Sequence, residues 1–253
     1  MSTTVAMNGL ATNGPASNRP PVVATNGLSA GYGPQAVIND ITLEVHAGEV
    51  VALLGPNGAG KTTTLLALSG ELPPLKGEVR LDGVVAKTPL YKRARNGLTF
   101  VTEEKSVFMG MNTRDNLRVG GVDLADALAL FPELEAKLDT RGGLLSGGEQ
   151  QMLTLARALS RKPRLLLADE LSMGLAPLVV KRLLEAVRGA ADRQGTAVLL
   201  VEQHVRKALR YADRVYVMRR GRIELTGTAE DMRSRIDEIE EQYLSSSSGA
   251  DPT

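Results

Sequence analysis

The segment Gly55-Pro56-Asn57-Gly58-Ala59-Gly60-Lys61-Thr62 constrains this chain more than any other. Glycines at positions 55, 58 and 60 admit backbone conformations closed to other residues, so the segment reads as a turn that passes close to something. Ahead of it, Val50–Leu54 is an unbroken apolar run of strand length, and a helix is expected from about Lys61. Strand, glycine-rich turn and helix form the context in which G-x-x-x-x-G-K-[ST] cradles phosphate. Successive backbone N–H groups converge there on phosphate oxygens at the positive end of the helix. Lys61 is expected to reach the β and γ phosphates of a nucleotide, and Thr62 to place its hydroxyl on Mg²⁺. Gly55, Asn57, Gly58, Ala59, Gly60 and Thr63 are expected to complete the phosphate contacts.

A second feature suits the first. Leu165-Leu166-Leu167-Ala168-Asp169-Glu170 ends an apolar strand on two carboxylates, where a parallel sheet presents its ligands. A hard cation takes oxygen donors, which makes Asp169 the natural Mg²⁺ partner. Glu170 is the candidate general base that polarises an attacking water, a role worth ~10² to 10⁴ in rate.

Residues 197–201 form a third apolar run, and buried strands alternating with helical patterns indicate an α/β fold with a largely parallel sheet covered on both faces. Residues 22–28, 41–45 and 78–81 read as strands of an antiparallel β layer. Residues 88–144 read as a mostly helical insert, with Leu124, Leu128, Phe131 and Leu134 at helical spacing. Met232, Ile236, Ile239 and Tyr243 recur at steps of three and four on a charged background, predicting an amphipathic helix that packs on its own domain. Residues 1–22 and 245–253 are rich in small polar residues with no apolar period; both are expected to be disordered, leaving 23–244 as the domain.

Composition narrows the remaining classes. The net charge of +1 creates no global field toward nucleic acid or anionic lipid, so partners must be read from sites. The absence of cysteine excludes disulfides and thiolate metal sites and fits a reducing compartment. Two histidines give no basis for a histidine-rich metal site. The apolar runs are far shorter than the ~20 residues of a membrane-spanning helix, and the N-terminus has neither a basic start nor a continuous apolar stretch. A cytosolic chain is expected, unless partners hold it at a membrane.

A phosphate loop alone leaves many nucleotide hydrolases open. Leu145-Ser146-Gly147-Gly148-Glu149-Gln150, followed by Met152, Leu153, Leu155, Ala156 and Leu159 at helical positions, resembles the signature motif of ABC ATPases. Physically it is a second anion site, a Ser-Gly-Gly turn at a helix N-terminus. The resemblance covers roughly residues 23–244. It implies a P-loop NTPase core, ATP and Mg²⁺ as ligands, and Ser146, Gly147 and Gly148 contacting the ATP held by the opposite subunit of a dimer. It also implies that Tyr32 lies against adenine, with Val37 able to pack on the same base. Within the superfamily, residues 145–153, Ser172-Met173-Gly174-Leu175-Ala176-Pro177 and Val201-Glu202-Gln203 resemble the ATP-binding subunits of branched-chain amino acid uptake systems. Related importers of urea and short amides share these features.

Several positions depart from the family pattern. Leu171 stands where many relatives carry proline after the catalytic glutamate, which removes a constraint on that turn. Ala176 occupies the place of an aspartate that communicates between sites. Glu103 takes the position of a glutamine that serves Mg²⁺ or water, with Glu104 as the alternative; a carboxylate accepts but cannot donate. The position that is usually histidine aligns with Gln203, and His204 follows it. Adjacent side chains at a strand end point in different directions, so Gln203 is expected at the γ phosphate, with His204 the alternative. Phe100, Val107, Phe108, Met109 and Met111 concentrate apolar bulk in the loop region around and after Glu103, flanked by the helical insert; both local core and a groove for a permease helix account for it.

The resemblance implies an ATPase subunit that energises separate hydrophobic permease subunits from the cytoplasmic face of a membrane. A second ABC ATPase subunit, identical or homologous, and indirectly a substrate-binding protein are the expected partners, with no nucleic acid. An importer of branched-chain amino acids or amides such as urea is the leading expectation. The alternatives are an exporter or lipid-transfer motor, and a non-transport ABC ATPase.

Overall fold

The computed structural model describes residues 20–240. The chain opens with an antiparallel layer: β1 (Val23–Tyr32) pairs with β2 (Gln35–Ile41) and with the short β3 (Glu44–Val45). Next, β4 (Val50–Leu54) runs through the glycine turn into α1 (Lys61–Ser69). Strands β5 (Lys76–Leu81) and β6 (Val84–Val85) return to β1, giving the order β2-β1-β5-β6. Val22 already belongs to this layer, since its N–H donates to the Val45 carbonyl at 2.9 Å. Val22 therefore takes its place in the strand expected over 22–28 and not in the disordered extension expected over 1–22; residues 1–19 and 241–253, Tyr243 among them, lie outside the described residues.

After α2 (Leu90–Arg95), β7 (Leu98–Val101) joins the central sheet beside β8 (Leu165–Asp169), a strand within the stretch expected to be mostly helical. Helical structure proper starts with α3 (Thr113–Val119) and α4 (Leu124–Leu130). The helical spacing over 123–138 is interrupted at Pro132, which starts a separate 3₁₀ segment, Pro132–Lys137. The longer α5 (Gly147–Leu159) and α6 (Pro177–Gln194) follow. Pro177 sits at the first position of α6 and Gly195 ends it in the left-handed region, each residue type where its backbone chemistry is an advantage.

The described residues finish with β9 (Ala197–Glu202), α7 (Val205–Ala208), the hairpin β10 (Arg214–Arg219) and β11 (Arg222–Thr228), then α8 (Ala229–Ser234) and α9 (Ile236–Ile239). Among the described residues, the expected terminal amphipathic helix is broken at Arg235 into two short helices, with Met232 and Ile239 both buried. The central sheet has the order β11-β10-β4-β9-β8-β7, parallel except for β11. This is the α/β fold with a mostly parallel sheet and an antiparallel layer that the pattern predicts.

Strand alternation divides the interior in two. Val51 and Leu53 face a core shared with α1 and the antiparallel layer, whereas Val50, Ala52 and Leu54 face a core shared with α5 and α6. Burial on both faces explains why β4, β8 and β9 read as continuous apolar runs, each fully buried Leu or Val contributing about 1.5–3 kcal/mol. Arg182 of α6 joins the helical region to this core: it stacks over Phe131 at 5.1 Å, pairs with Glu133 and donates to the Leu130 carbonyl. No helix among the described residues is long and apolar enough to cross a membrane.

Candidate active site

The carboxyl ends of three neighbouring parallel strands converge on the glycine turn. Leu54 of β4 lies opposite Glu202 of β9, and Val201 lies opposite Asp169 of β8. Residues distant in sequence therefore meet at one edge of the sheet, the position where open α/β sheets present ligands.

Packing and conformation require the glycines for separate reasons. A Cβ at Gly55 would stand 2.3 Å from the Met218 carbonyl oxygen, and one at Gly60, where φ is +101°, would stand 2.6 Å from Ile38 Cγ2. The loop is thus pressed onto β2 and β10. The Gly221 N–H, in the β10–β11 turn, fastens it by donating to the Ala59 carbonyl at 2.9 Å. This support under the loop is absent from the motif itself; the Arg220-Gly221 turn between two strands is the only sequence signal for it.

Lys61 is buried at the start of α1. Its Nζ donates to the carbonyls of Gly55 at 2.9 Å and Pro56 at 3.1 Å, and lies 3.6 Å from Glu170 Oε1. Burial lowers its pKa, while the charges of Glu170 and Asp169 pull the other way. The ammonium is thus held at the mouth of a loop of amides, where it can meet an anionic phosphate.

Asp169 ends β8 and is buried. Burial raises its pKa; a hydrogen bond from the Thr62 hydroxyl opposes the rise, and the charges of Glu170 and Glu103 add to it. Asp169 Oδ1 is buried with no hydrogen-bond partner. An unpartnered carboxylate oxygen beside a hydroxyl is an oxygen donor set that a hard divalent cation fits. Glu103 itself is exposed in the loop after β7.

Glu170 follows in a left-handed conformation, φ +47°, uncommon for a residue with a side chain. Its N–H donates to the Val201 carbonyl at 3.0 Å, and its Oε2 accepts from Gln203 Nε2 at 2.6 Å. One carboxylate oxygen is therefore held by an amide while the other faces Lys61. His204 is exposed at the N-cap just before α7, so the strand end separates these two neighbours and brings only Gln203 to Glu170. Removing a hydrogen bond to a charged group costs ~1.5–3 kcal/mol, so Gln203→Ala is expected to lower ATP turnover roughly ten- to a hundredfold, and His204→Ala far less. Side-by-side steady-state phosphate release measures both; a larger loss at His204 reverses the assignment. Leu171, at the usual proline position, is a core residue instead, 1% exposed.

Ser146, Gly147 and Gly148 lie elsewhere. Ser146 caps α5: its Oγ accepts from the Glu149 N–H at 3.3 Å while Glu149 Oε2 accepts from the Ser146 N–H at 2.7 Å. Such a capping box contributes about 1 kcal/mol and fixes the first turn of α5. A Cβ at Gly148 would stand 3.0 Å from Val179 Cγ1, so α6 closes on this turn. Among the described residues no hydrogen bond or ion pair joins residues 146–148 to the glycine loop, Lys61 or Glu170. Tyr32 ends β1 and is 60% exposed; Val37, on β2, is half-buried against the core beneath the loop.

The apolar residues in and after β7 divide between the two explanations given for them. Val107 packs on the main core, whereas Phe108, Met109 and Met111 are exposed. Phe100 lines an open groove of about 350 Å³ between α2, β7 and α5, together with Glu71, Leu90, Arg157 and Arg161.

Comparison with known proteins agrees with this geometry. The family model described as ABC transporter matches residues 38–172. The high-affinity branched-chain amino acid transport ATP-binding protein BraG of Pseudomonas aeruginosa is 39% identical over 211 residues, which is 79% of this chain and 90% of that protein. The lipopolysaccharide export system ATP-binding protein LptB of Acidithiobacillus ferridurans is 34% identical over 220 residues, 81% of this chain and 89% of that one. A solved structure of an ATP-binding subunit of an ABC transporter superposes with a TM-score of 0.72 at 29% identity, covering 85% of this chain and 93% of its own. The chain belongs to the ABC transporter family, as an ATP-binding subunit whose hydrolysis of ATP is coupled to transport.

Proposed function

We propose that this subunit powers an importer of branched-chain amino acids or related amides such as urea, acting on separate permease subunits from the cytoplasmic face of the membrane. The observation that carries this reading is the contact of Gln203 with Glu170, because Val201-Glu202-Gln203 is among the stretches that resemble the uptake subgroup. The similarity to BraG supports it.

In this reading the loop amides of residues 55–63 and the Lys61 ammonium bind the phosphates of ATP, and Tyr32 and Val37 take the adenine. Thr62 and Asp169 hold Mg²⁺, with Glu103 as a further oxygen donor near them. The bound ion supplies positive charge against the phosphoryl oxygens. Glu170 takes a proton from the water that attacks the γ phosphorus, and the bond to the ADP oxygen breaks. Gln203 orients the Glu170 carboxylate and reaches the γ phosphate. As a neutral amide it holds and donates without titrating, which a histidine at this position would not do.

Ser146, Gly147 and Gly148 serve the ATP of a second ABC subunit, a role supported by their separation from this chain's own loop. The groove beside Phe100 receives a short permease helix. A substrate-binding protein delivers the cargo to the permease.

The test is affinity purification of tagged Glu170→Gln protein from its native membranes with Mg-ATP, with copurifying chains identified. Two hydrophobic permeases, a second ATPase and stimulation of wild-type turnover by a binding protein loaded with an amino acid or amide are expected. Recovery with lipopolysaccharide-export partners, favoured by the likeness to LptB, would overturn the importer.

A further inference from the structure

Val201 and Glu202 at the end of β9, and Gln203 immediately beyond it, each grip the turn that follows β8. Val201 accepts from the Glu170 N–H at 3.0 Å, Glu202 Oε2 accepts from Ser172 Oγ at 2.7 Å, and Gln203 Nε2 donates to Glu170 Oε2 at 2.6 Å. The first and third contacts hold Glu170 itself. The second holds the residue two positions on, and nothing in the ATP reading uses it.

Glu202 is a costly residue in this place. It is 1% exposed, its Oε1 has no hydrogen-bond partner, and Ser172 beside it is 5% exposed. Burial pushes the Glu202 carboxyl up to about 7; the hydrogen bonds from the Ser172 hydroxyl and N–H oppose the rise, the Glu170 charge adds to it, and Lys207 reduces it. An apolar side chain would fill the same space without that desolvation cost.

The turn it holds has a specific need. Glu170 adopts the left-handed conformation at φ +47°, which a side chain disfavours, and Leu171 lacks the ring with which proline would pre-set the following φ. Buried contacts must therefore fix the backbone, and the Ser172 hydroxyl is the side-chain handle on its far side. The Glu170 carbonyl also accepts from the Met173 N–H at 3.2 Å, so the grip on Ser172 lies inside a closed turn.

We infer that Glu202 is a positioning residue for hydrolysis: by accepting from Ser172 it fixes the turn that presents the Glu170 carboxylate to the attacking water. This rests on Glu170 being the base, and the test separates the two statements.

Steady-state kcat and KM for ATP, with thermal midpoints, would be measured on the full-length chain for Glu202→Ala, Ser172→Ala, the double variant, Glu202→Gln and Glu170→Gln. Loss of one hydrogen bond to a carboxylate corresponds to roughly tenfold in rate. Glu202→Ala and Ser172→Ala are each expected to lower kcat about tenfold at unchanged KM, and the double variant to be no worse than either. Glu202→Gln, whose amide oxygen still accepts from Ser172, is expected to recover most of the loss. Effects that multiply in the double variant, an unchanged kcat, or a loss confined to KM overturn the positioning role. If Glu202→Ala does not fold, Ser172→Ala decides alone, because it removes one oxygen atom: lower kcat at unchanged KM supports the role and unchanged kcat ends it. Normal turnover in Glu170→Gln would instead remove the base on which the inference rests.

Discussion

Glu170→Gln is expected to slow ATP hydrolysis by ~10² to 10⁴ while leaving ATP affinity nearly intact. The substitution removes proton-accepting capacity and little else. Glutamine has the same length, and its amide oxygen can still accept from Gln203 Nε2, which holds the wild-type carboxylate at 2.6 Å. The backbone bond from residue 170 to the Val201 carbonyl is untouched. Lys61 loses an ionic neighbour at 3.6 Å yet keeps both loop carbonyls, so the phosphate cradle persists. Single-turnover phosphate release measures the chemical step. Sedimentation with and without Mg-ATP then tests whether unhydrolysed ATP accumulates the paired form. Turnover within a fewfold of wild type would exclude Glu170 as the base.

What could be read from the sequence follows the range of the interaction. The glycine loop and the Asp169-Glu170 pair are legible because each is a contiguous segment whose geometry is set by the strand before it and the helix or turn after it. The parallel sheet is legible because burial on both faces leaves unbroken apolar runs. β7 escapes this reading: Leu98-Thr99-Phe100-Val101 is a short edge strand whose middle residues are only partly buried, between segments of helical character. The breaks at Pro132 and Arg235 are local backbone events inside patterns whose side-chain spacing continues past them. The grip of Glu202 on Ser172 and of Gly221 on Ala59 depends on which strands pair and in what register. Spacing along one chain carries no information on that, so a buried carboxylate next to Gln203 reads only as part of a motif.

Lys61→Ala is expected to weaken ATP binding by about 10²-fold, because a buried ammonium makes charge-assisted bonds to phosphate worth ~1.5–3 kcal/mol each. Several features of the site enlarge the effect. Burial is the larger influence and lowers the lysine's pKa, and the neighbouring charges of Glu170 and Asp169 oppose that fall and hold the side chain at the loop. Without it, the carbonyls of Gly55 and Pro56 lose their donor, and the two carboxylates face an incoming polyphosphate with no compensating charge from the loop. The glycine turn should keep its shape, since Gly55 and Gly60 are held by packing on Met218 and Ile38 and Ala59 by its bond from Gly221. Titration calorimetry with ATP on the folded variant therefore reads the loss of charge and not the loss of the loop. An unchanged affinity would mean that the phosphates bind elsewhere, and the assignment of Thr62, Asp169 and Glu170 to the same site would fall with it.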